Sequence, residues 1–277
     1  MKNLLTLVLL CCSLTIAAQD LSLYQKKEYT NRDGKVLPYR ILYPENYDKS
    51  KKYPVMLFLH GAGERGNDNE AQLTHGAKLF LADSNRKNFP CFVIIPQCPG
   101  ESYWSSAIID RSAQPLKISF NYDSAAVMWP LVSAIEVLKQ TVQSESIDKS
   151  RIYITGLSMG GMGTFEAVYR NPGFFVAAMP ICGGGDVVRY DKRINTTSFW
   201  VFHGDADAVV SVEQSRAMVK RLKKLKVDVT YTEYPGVNHN SWDNAFAEPA
   251  YLSWLFSQTR KFRKPSKNAI YSTTKND

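Results

Sequence analysis

The sequence predicts an α/β fold in which a mostly parallel sheet carries helices on both faces. Short, continuously apolar runs at 55–59 and 92–95 have the length and composition of fully buried strands. Stretches with helical periodicity, such as 124–142, alternate with runs of this kind. The chain opens differently, with two strands around an Asp33-Gly34 turn, which favours an antiparallel pair.

Each later element follows from its local pattern. Strand 151–155 runs directly into Gly156, and helix 159–170 ends at Asn171-Pro172-Gly173. The full order is strands 24–31, 39–43, 55–59 and 92–95, helix 124–142, strand 151–155, helix 159–170, strands 175–181 and 199–202, helix 212–225, strand 227–234 and helix 242–258. We find no repeat or linker, so we expect one domain over 19–262.

The two ends of the chain differ from this domain. Lys2 precedes an apolar run over 4–18 that ends in Ala17-Ala18, the layout of a cleaved secretory signal peptide. The run is too short to span a bilayer, and no other stretch is long and apolar enough. We therefore expect a signal peptide over 1–18, a secreted or periplasmic protein, and a basic tail over 263–277. Lipoprotein anchoring at Cys11 or Cys12 is a minor alternative, because neither follows a small residue.

Composition excludes several classes of function. Of the 277 residues, 44% are hydrophobic, which excludes intrinsic disorder. Much of the net charge of +8 comes from residue 260 onward, so a nucleic-acid-binding face is not expected. Without the signal peptide three cysteines remain, Cys91, Cys98 and Cys182, and a Cys91–Cys98 disulfide or buried free thiols both stay open. No CxxC, metal-ligand pattern or cofactor motif occurs, so we expect neither a metal nor a cofactor.

A nucleophile elbow is the strongest local signal. Gly156-Leu157-Ser158-Met159-Gly160 fits G-x-S-x-G and lies between a buried strand and a helix. The glycines allow a sharp turn that exposes the serine hydroxyl at the edge of the sheet. Ser158 is therefore the candidate nucleophile.

A serine nucleophile needs a base and an acid, which follow it in this kind of fold. His239 lies in a turn-rich loop after strand 227–234, at the same expected edge as Ser158. Asp207 lies in the loop after strand 199–202 and is our candidate acid, with Asp205 and Asp243 as alternatives. His203 is interpreted as structural, packing under this acid loop.

A developing oxyanion needs main-chain N–H donors. The amide of Met159, directly after the nucleophile, is one candidate donor. The small residues of the loop at 60–66 favour Ala62 as the second, with Gly63 close behind. We interpret His60 as an anchor of this loop.

Six segments together resemble one family. They are Leu-His-Gly-Ala-Gly-Glu-Arg-Gly (59–66), Ile-Ile-Pro-Gln-Cys-Pro (94–99), the stretch 147–161, Pro-Ile-Cys-Gly-Gly-Gly-Asp (180–186), His-Gly-Asp-Ala-Asp-Ala-Val-Val (203–210) and Asn-His-Asn-Ser-Trp-Asp (238–243). The chain resembles the secreted esterase branch of the α/β-hydrolases, which includes the family 1 carbohydrate esterases (feruloyl and acetylxylan esterases), polyhydroxybutyrate depolymerases and "predicted peptidases". The resemblance implies an α/β-hydrolase catalytic domain with the triad Ser158, Asp207 and His239.

The expected substrate is a small-molecule or polysaccharide-linked ester, with feruloyl or acetyl groups of plant polysaccharide favoured. Gln97 and Trp104 follow strand 92–95, and Trp242 follows the His239 loop, so we expect these three to contact substrate. A prolyl-oligopeptidase-like peptidase and a non-catalytic carbohydrate-binding relative are the alternatives. The oligomeric state stays open.

Overall fold

An eight-stranded sheet forms the centre of the fold, as a computed structural model describes it for residues 20–123 and 126–260. The strands of this sheet and of a separate hairpin are β1 (Gln25–Thr30), β2 (Val36–Leu42), β3 (Tyr53–Leu59), β4 (Phe92–Pro96), β5 (Ile108–Asp110), β6 (Lys117–Ser119), β7 (Ile147–Leu157), β8 (Ala177–Ile181), β9 (Ser198–Gly204) and β10 (Val229–Tyr234). The order across the sheet is β1-β2-β4-β3-β7-β8-β9-β10. The predicted signal peptide and basic tail lie outside the described residues.

Strand directions confirm the predicted fold class. β2 is antiparallel to β1 and to β4, whereas every other neighbouring pair in the large sheet is parallel. β5 pairs with β6 in its own small sheet. The carboxyl ends of β3, β7, β8, β9 and β10 consequently meet at one edge, where ligands bind in open parallel sheets.

Helices cover both faces of the sheet. They are α1 (Ala77–Leu81), α2 (Asp83–Asn88), α3 (Trp129–Ser144), α4 (Met159–Arg170), α5 (Glu213–Lys224), α6 (Trp242–Ala247) and α7 (Tyr251–Ser257). Side chains alternate along β3, so Leu57 packs in the core that α3, α4 and α5 share, and Phe58 in the core that α1, α6 and α7 share. Both cores consist of buried hydrophobic side chains, which hold the strands in place between the two helical layers.

Several boundaries differ from the predicted ones. α3 begins at Trp129 rather than residue 124, with Pro130 in its first turn, where a missing N–H costs nothing. The predicted final helix is two helices, because Pro249 between α6 and α7 cannot donate a helical hydrogen bond. The β5–β6 hairpin was not predicted.

Two further sequence questions concern cysteines and membranes. Cys91 and Cys98 are free and buried, and they lie beyond opposite ends of strand β4, whose five residues extend about 16 Å, far beyond disulfide reach. Within the described ranges, helices are all too short or too polar to cross a bilayer.

Candidate active site

Ser158 lies on a strained turn between β7 and α4. Its φ of 54° and ψ of −115° fall outside the regions that a serine normally adopts. The main-chain N–H of Ser158 donates to the Ile181 carbonyl at 2.9 Å, which holds the turn against β8. A Cβ on Gly160 would overlap the Leu59 carbonyl oxygen, so only glycine allows α4 to start this close to β3.

The structure brings Ser158, His239 and Asp207 into one hydrogen-bonded chain. Ser158 Oγ lies 2.9 Å from His239 Nε2, and His239 Nδ1 lies 2.7 Å from Asp207 Oδ2. The three residues come from the ends of three different strands, so the parallel sheet itself assembles them. An imidazole held in this way can take the serine proton and make the hydroxyl a nucleophile.

Asp207 is held as a carboxylate. Its Oδ1 accepts the main-chain N–H groups of Val209 at 2.8 Å and Val210 at 2.9 Å. Burial opposes the charge, but hydrogen bonds from His203 and His239 outweigh it and place the pKa of Asp207 well below its ordinary value. The acid therefore stays ionised and keeps the His239 proton on Nδ1.

The two alternative acids do not reach the imidazole. Asp205 is exposed and accepts the Gly236 N–H at 2.6 Å. Asp243 accepts the side-chain amide of Asn240 at 3.1 Å. Among the described carboxylates, Asp207 is the one that hydrogen-bonds to His239.

His203 hydrogen-bonds directly to the acid, whereas the sequence predicted only that it packs under the acid loop. Its Nε2 lies 3.1 Å from Asp207 Oδ2 and 3.0 Å from the Val210 carbonyl, so Nε2 must carry a hydrogen. Its Nδ1 lies 2.7 Å from Ser215 Oγ, which also contacts the Gly183 carbonyl. This fully buried imidazole is thus a second donor to the acid. The H-G-x-x-D spacing places His203 four residues before Asp207, but the spacing alone did not predict this hydrogen bond.

The candidate oxyanion donors are both first residues of helical turns. Met159 begins α4 and Ala62 begins a 3₁₀ turn, Ala62–Glu64. The first N–H groups of such turns have no partner within the turn and are free to bind an anion. Ala62 lines the same cleft as Ser158.

His60 anchors the loop that carries Ala62. Its Nε2 accepts the Cys98 N–H at 2.9 Å, and its Nδ1 donates to the Gly61 carbonyl at 2.6 Å. Burial lowers the pKa of His60 to about 4, so the ring stays neutral. This geometry agrees with the interpretation of His60 as an anchor of the loop at 60–66.

Gln97 and Trp104 do not take the substrate-contacting positions that we expected. Both side chains are fully buried, and neither lines the cleft. Gln97 bonds to Asn69 N–H, the Glu64 carbonyl and Asp68, and Trp104 Nε1 donates to the His60 carbonyl at 3.1 Å. Their loop turns inward behind the loop at 60–66 that carries Ala62, here called the oxyanion loop, so these two side chains support it from behind.

The third expected contact, Trp242, does line the cleft. Its ring centroid lies 5.4 Å from that of His239. The cleft has a volume of about 320 Å³, and its apolar wall comes from α4, the acid loop and the unpredicted hairpin. The wall residues are Leu116, Ile118, Met162, Val209 and Val210.

Cys182 lies directly beneath the triad. Its sulfur and ligand atoms of Asp207 and His239 all lie within 4.8 Å of one another. Burial raises the pKa of the Cys182 thiol well above its ordinary value, so it stays neutral. A neutral, fully buried thiol is a poor metal ligand and a poor nucleophile, and Cys182 therefore serves as packing under Ser158.

Comparison with known proteins identifies the family of this chain. A model of the family described as phospholipase/carboxylesterase matches residues 46–250. Lysophospholipase-like protein 1 of Mus musculus is 28% identical over 200 residues, which is 66% of this chain and 79% of that protein.

Two solved structures are similar in fold. A thermostable esterase is 39% identical with a TM-score of 0.78, and the match covers 86% of this chain and 64% of that one, slightly less than two thirds of its length. A ferulic acid esterase from Anaeromyces mucronatus is 16% identical with a TM-score of 0.60, covering 85% of this chain and 90% of that one. This chain belongs to the phospholipase/carboxylesterase family of the α/β-hydrolases and is a serine hydrolase that acts on esters.

Proposed function

We propose that this protein is a secreted carboxylic-ester hydrolase that removes feruloyl or acetyl groups from plant polysaccharide. The observation that carries the proposal is the chain from Ser158 Oγ through His239 to Asp207, with contacts of 2.9 Å and 2.7 Å, at a cleft lined by Ala62. Every group that an acyl-enzyme mechanism needs lies at this one edge of the sheet.

The reaction follows from this geometry in two halves. His239 Nε2 takes the Ser158 proton as Oγ bonds to the ester carbonyl carbon, and the amides of Ala62 and Met159 hold the oxyanion. The carbon–oxygen bond to the alcohol then breaks, and the alcohol leaves with the proton from His239. Water, deprotonated by His239, attacks the carbonyl carbon of the acyl-enzyme, and the bond to Oγ breaks as His239 returns the proton to Ser158 and the acid leaves.

The size and lining of the cleft support a short or aromatic acyl group. At about 320 Å³ its volume is at the lower end of ligand pockets, which fits a compact acyl group better than a long lipid chain. Apolar side chains such as Met162 and Ile118 offer a dry wall, and Trp242 offers a ring face. The fold neighbour solved in complex with ferulic acid supports the same acyl class.

The test is a hydrolysis panel of 4-nitrophenyl acetate, methyl ferulate and longer aliphatic esters. We expect Ser158→Ala to abolish hydrolysis and labelling by a fluorophosphonate, while Ser253→Ala, at an exposed serine on α7, behaves as wild type. Equal residual activity in wild type and Ser158→Ala would remove the proposal. Faster cleavage of an aminoacyl-prolyl amide than of any ester would favour the peptidase alternative. A wild-type protein that the fluorophosphonate does not label would favour the non-catalytic alternative.

Secretion is tested separately. Expression of the full chain in a bacterial host with an export pathway should yield a protein whose first residue is Gln19, as N-terminal sequencing would show. An uncut N-terminus in the cell pellet would contradict export.

A further inference from the structure

Two arginine side chains, Arg65 and Arg111, line the cleft that holds Ser158. Neither makes an ion pair with a carboxylate of the described residues. Six other arginines do, namely Arg40, Arg151, Arg170, Arg189, Arg193 and Arg216. Four more arginines of the described residues, Arg32, Arg86, Arg221 and Arg260, also form no ion pair, so what distinguishes Arg65 and Arg111 is their place at the cleft that holds Ser158.

Arg65 is fixed in place by neutral partners. Its Nε donates to the Ala62 carbonyl at 2.9 Å and its Nη1 to the Ser102 carbonyl at 3.2 Å. The guanidinium also lies over the Tyr103 ring, 5.5 Å from its centroid. These contacts hold the side chain in position beside the oxyanion loop but leave its positive charge uncompensated.

Arg111 comes from a different element, the β5–β6 hairpin, and is exposed. The hairpin is attached to the acid loop, because the Leu116 N–H donates to the Val209 carbonyl at 2.9 Å. Arg65, Tyr103 and Arg111 together line both the cleft and an adjoining depression. The two guanidiniums thus converge at one end of the cleft.

Nearby acids do not neutralise this end. Glu64 lines the cleft, but its side chain is only 12% exposed and is turned towards His75, whose Nε2 lies 3.6 Å from Oε1. Glu101 lines an adjoining depression together with both arginines, yet within the described part of the chain it forms no ion pair with them. Among the residues that line the cleft itself, two arginines stand against one carboxylate, Glu64, which leaves an excess of one positive charge.

We propose that the cleft selects esters that carry a carboxylate a few bonds from the scissile carbonyl. Arg111 and Arg65 bind this anion, and the hydroxyl of Tyr103 donates a hydrogen bond to it. The apolar wall that includes Ile118 and Met162 contacts the chain that joins the anion to the ester. The inference rests on the proposed esterase activity of Ser158 and adds a charge to its substrate class.

The test compares matched ester pairs. The anionic acyl arm uses 4-nitrophenyl hemisuccinate and hemiglutarate against the neutral butyrate and valerate, and the anionic alcohol arm uses acetates of 4-hydroxybenzoate and of its methyl ester. We expect wild type to show a higher kcat/KM for the anionic member of one arm, and that arm identifies the side of the ester that bears the anion. Two chain lengths in the acyl arm measure the distance from the carbonyl.

The variants are Arg111→Gln and, as a charge-matched control, Arg32→Gln in the exposed β1–β2 turn. Arg111→Gln should lower the ratio of anionic to neutral kcat/KM about five-fold, mainly through KM, the effect of about 1 kcal/mol expected for one exposed ion pair. Arg32→Gln should leave the ratio unchanged. The preference of wild type should also weaken between 50 mM and 500 mM NaCl, as screening of an exposed charge requires.

Each outcome decides between the two proposals. If wild type hydrolyses neutral esters but shows no preference in either arm, or if Arg111→Gln keeps the wild-type ratio, the anion site is overturned and the esterase stands. If no ester is hydrolysed at all, the proposed function fails and the anion site with it. Arg65→Lys, which keeps the charge but loses the Ala62 contact, should retain more of the ratio than Arg111→Gln.

Discussion

The substitution Asp207→Asn tests the relay where the structure constrains it most. The carboxylate accepts four donors: two imidazoles, His239 and His203, and the main-chain N–H groups of Val209 and Val210. A carboxamide has one acceptor oxygen and one NH₂ donor group. If the oxygen faces the main chain, the NH₂ faces His239 and forces its proton onto Nε2. If the amide is reversed, the NH₂ faces two N–H groups instead.

The expected fall in kcat follows from the first of these orientations, because this orientation satisfies the buried main-chain N–H donors of Val209 and Val210. A proton on His239 Nε2 leaves no lone pair to accept the Ser158 proton. We expect kcat to fall by about 10⁴-fold, the typical effect of this wrong tautomer, which corresponds to about 5 kcal/mol in the activation free energy. His203 then also faces a donor, and the fold should lose about 1–3 kcal/mol.

The stability change has a defined dependence on pH. The pKa of Asp207 is depressed in the folded protein below its ordinary value of 3.8. The carboxylate therefore stabilises the fold fully above pH 3.8, and this contribution is lost as the pH falls further towards the folded pKa. The difference in unfolding free energy between wild type and Asp207→Asn should be largest near neutrality and shrink in acid.

The assay is steady-state hydrolysis of 4-nitrophenyl acetate, with urea unfolding at pH 7 and pH 3 as the stability measurement. Asp205→Asn is the matched control, because Asp205 lies in the same loop and contacts Gly236 rather than His239. A kcat for Asp207→Asn within ten-fold of wild type would refute the relay. A larger fall in kcat for Asp205→Asn than for Asp207→Asn would show that Asp205, and not Asp207, is the acid.

Three further predictions concern buried groups around the site. His203→Phe, which keeps an aromatic ring but has no donor, should lower kcat about ten-fold or more, since it removes a charge-assisted hydrogen bond to Asp207; an unchanged kcat would exclude this role. Trp104→Ala should lower the unfolding free energy in urea by about 3–5 kcal/mol through the cavity it creates, whereas a substrate-contacting tryptophan would leave it nearly unchanged. Cys182 should stay unmodified by iodoacetamide at pH 8 in the native protein and react once the protein is unfolded. If mass spectrometry finds the adduct on Cys182 after treatment of the native protein, the thiol is not buried.

The core of the site was predictable because each part has a local signal. Ser158 follows an apolar strand and precedes a glycine-rich helix, so its position at the sheet edge depends on the chain nearby. Asp207 and His239 follow later strands of the same parallel sheet, and such strands all end at one edge. Long apolar strands and the order of the motifs were sufficient to bring these three residues together.

Side-chain direction in the loops was not predictable in the same way. Gln97 and Trp104 do follow β4 at the correct edge, yet both turn inward, because the oxyanion loop has unsatisfied polar groups that they bind. The direction of each side chain depends on a contact with a residue 33 positions away for Gln97 and 44 positions away for Trp104. The β5–β6 hairpin escaped notice because strands of three residues are too short to show a period of two.

Catalysis and substrate choice come from separable parts of this chain. The relay lies at the ends of β7, β9 and β10, which the two buried cores hold in place. Arg111, Leu116 and Ile118 come from a hairpin whose strands pair with each other and not with the large sheet. A change within the hairpin that leaves the hydrogen bond from Leu116 N–H to the Val209 carbonyl in place consequently alters one wall of the cleft without moving the strained turn at Ser158. We therefore expect variation in residues 108–119 to change which esters the same relay accepts.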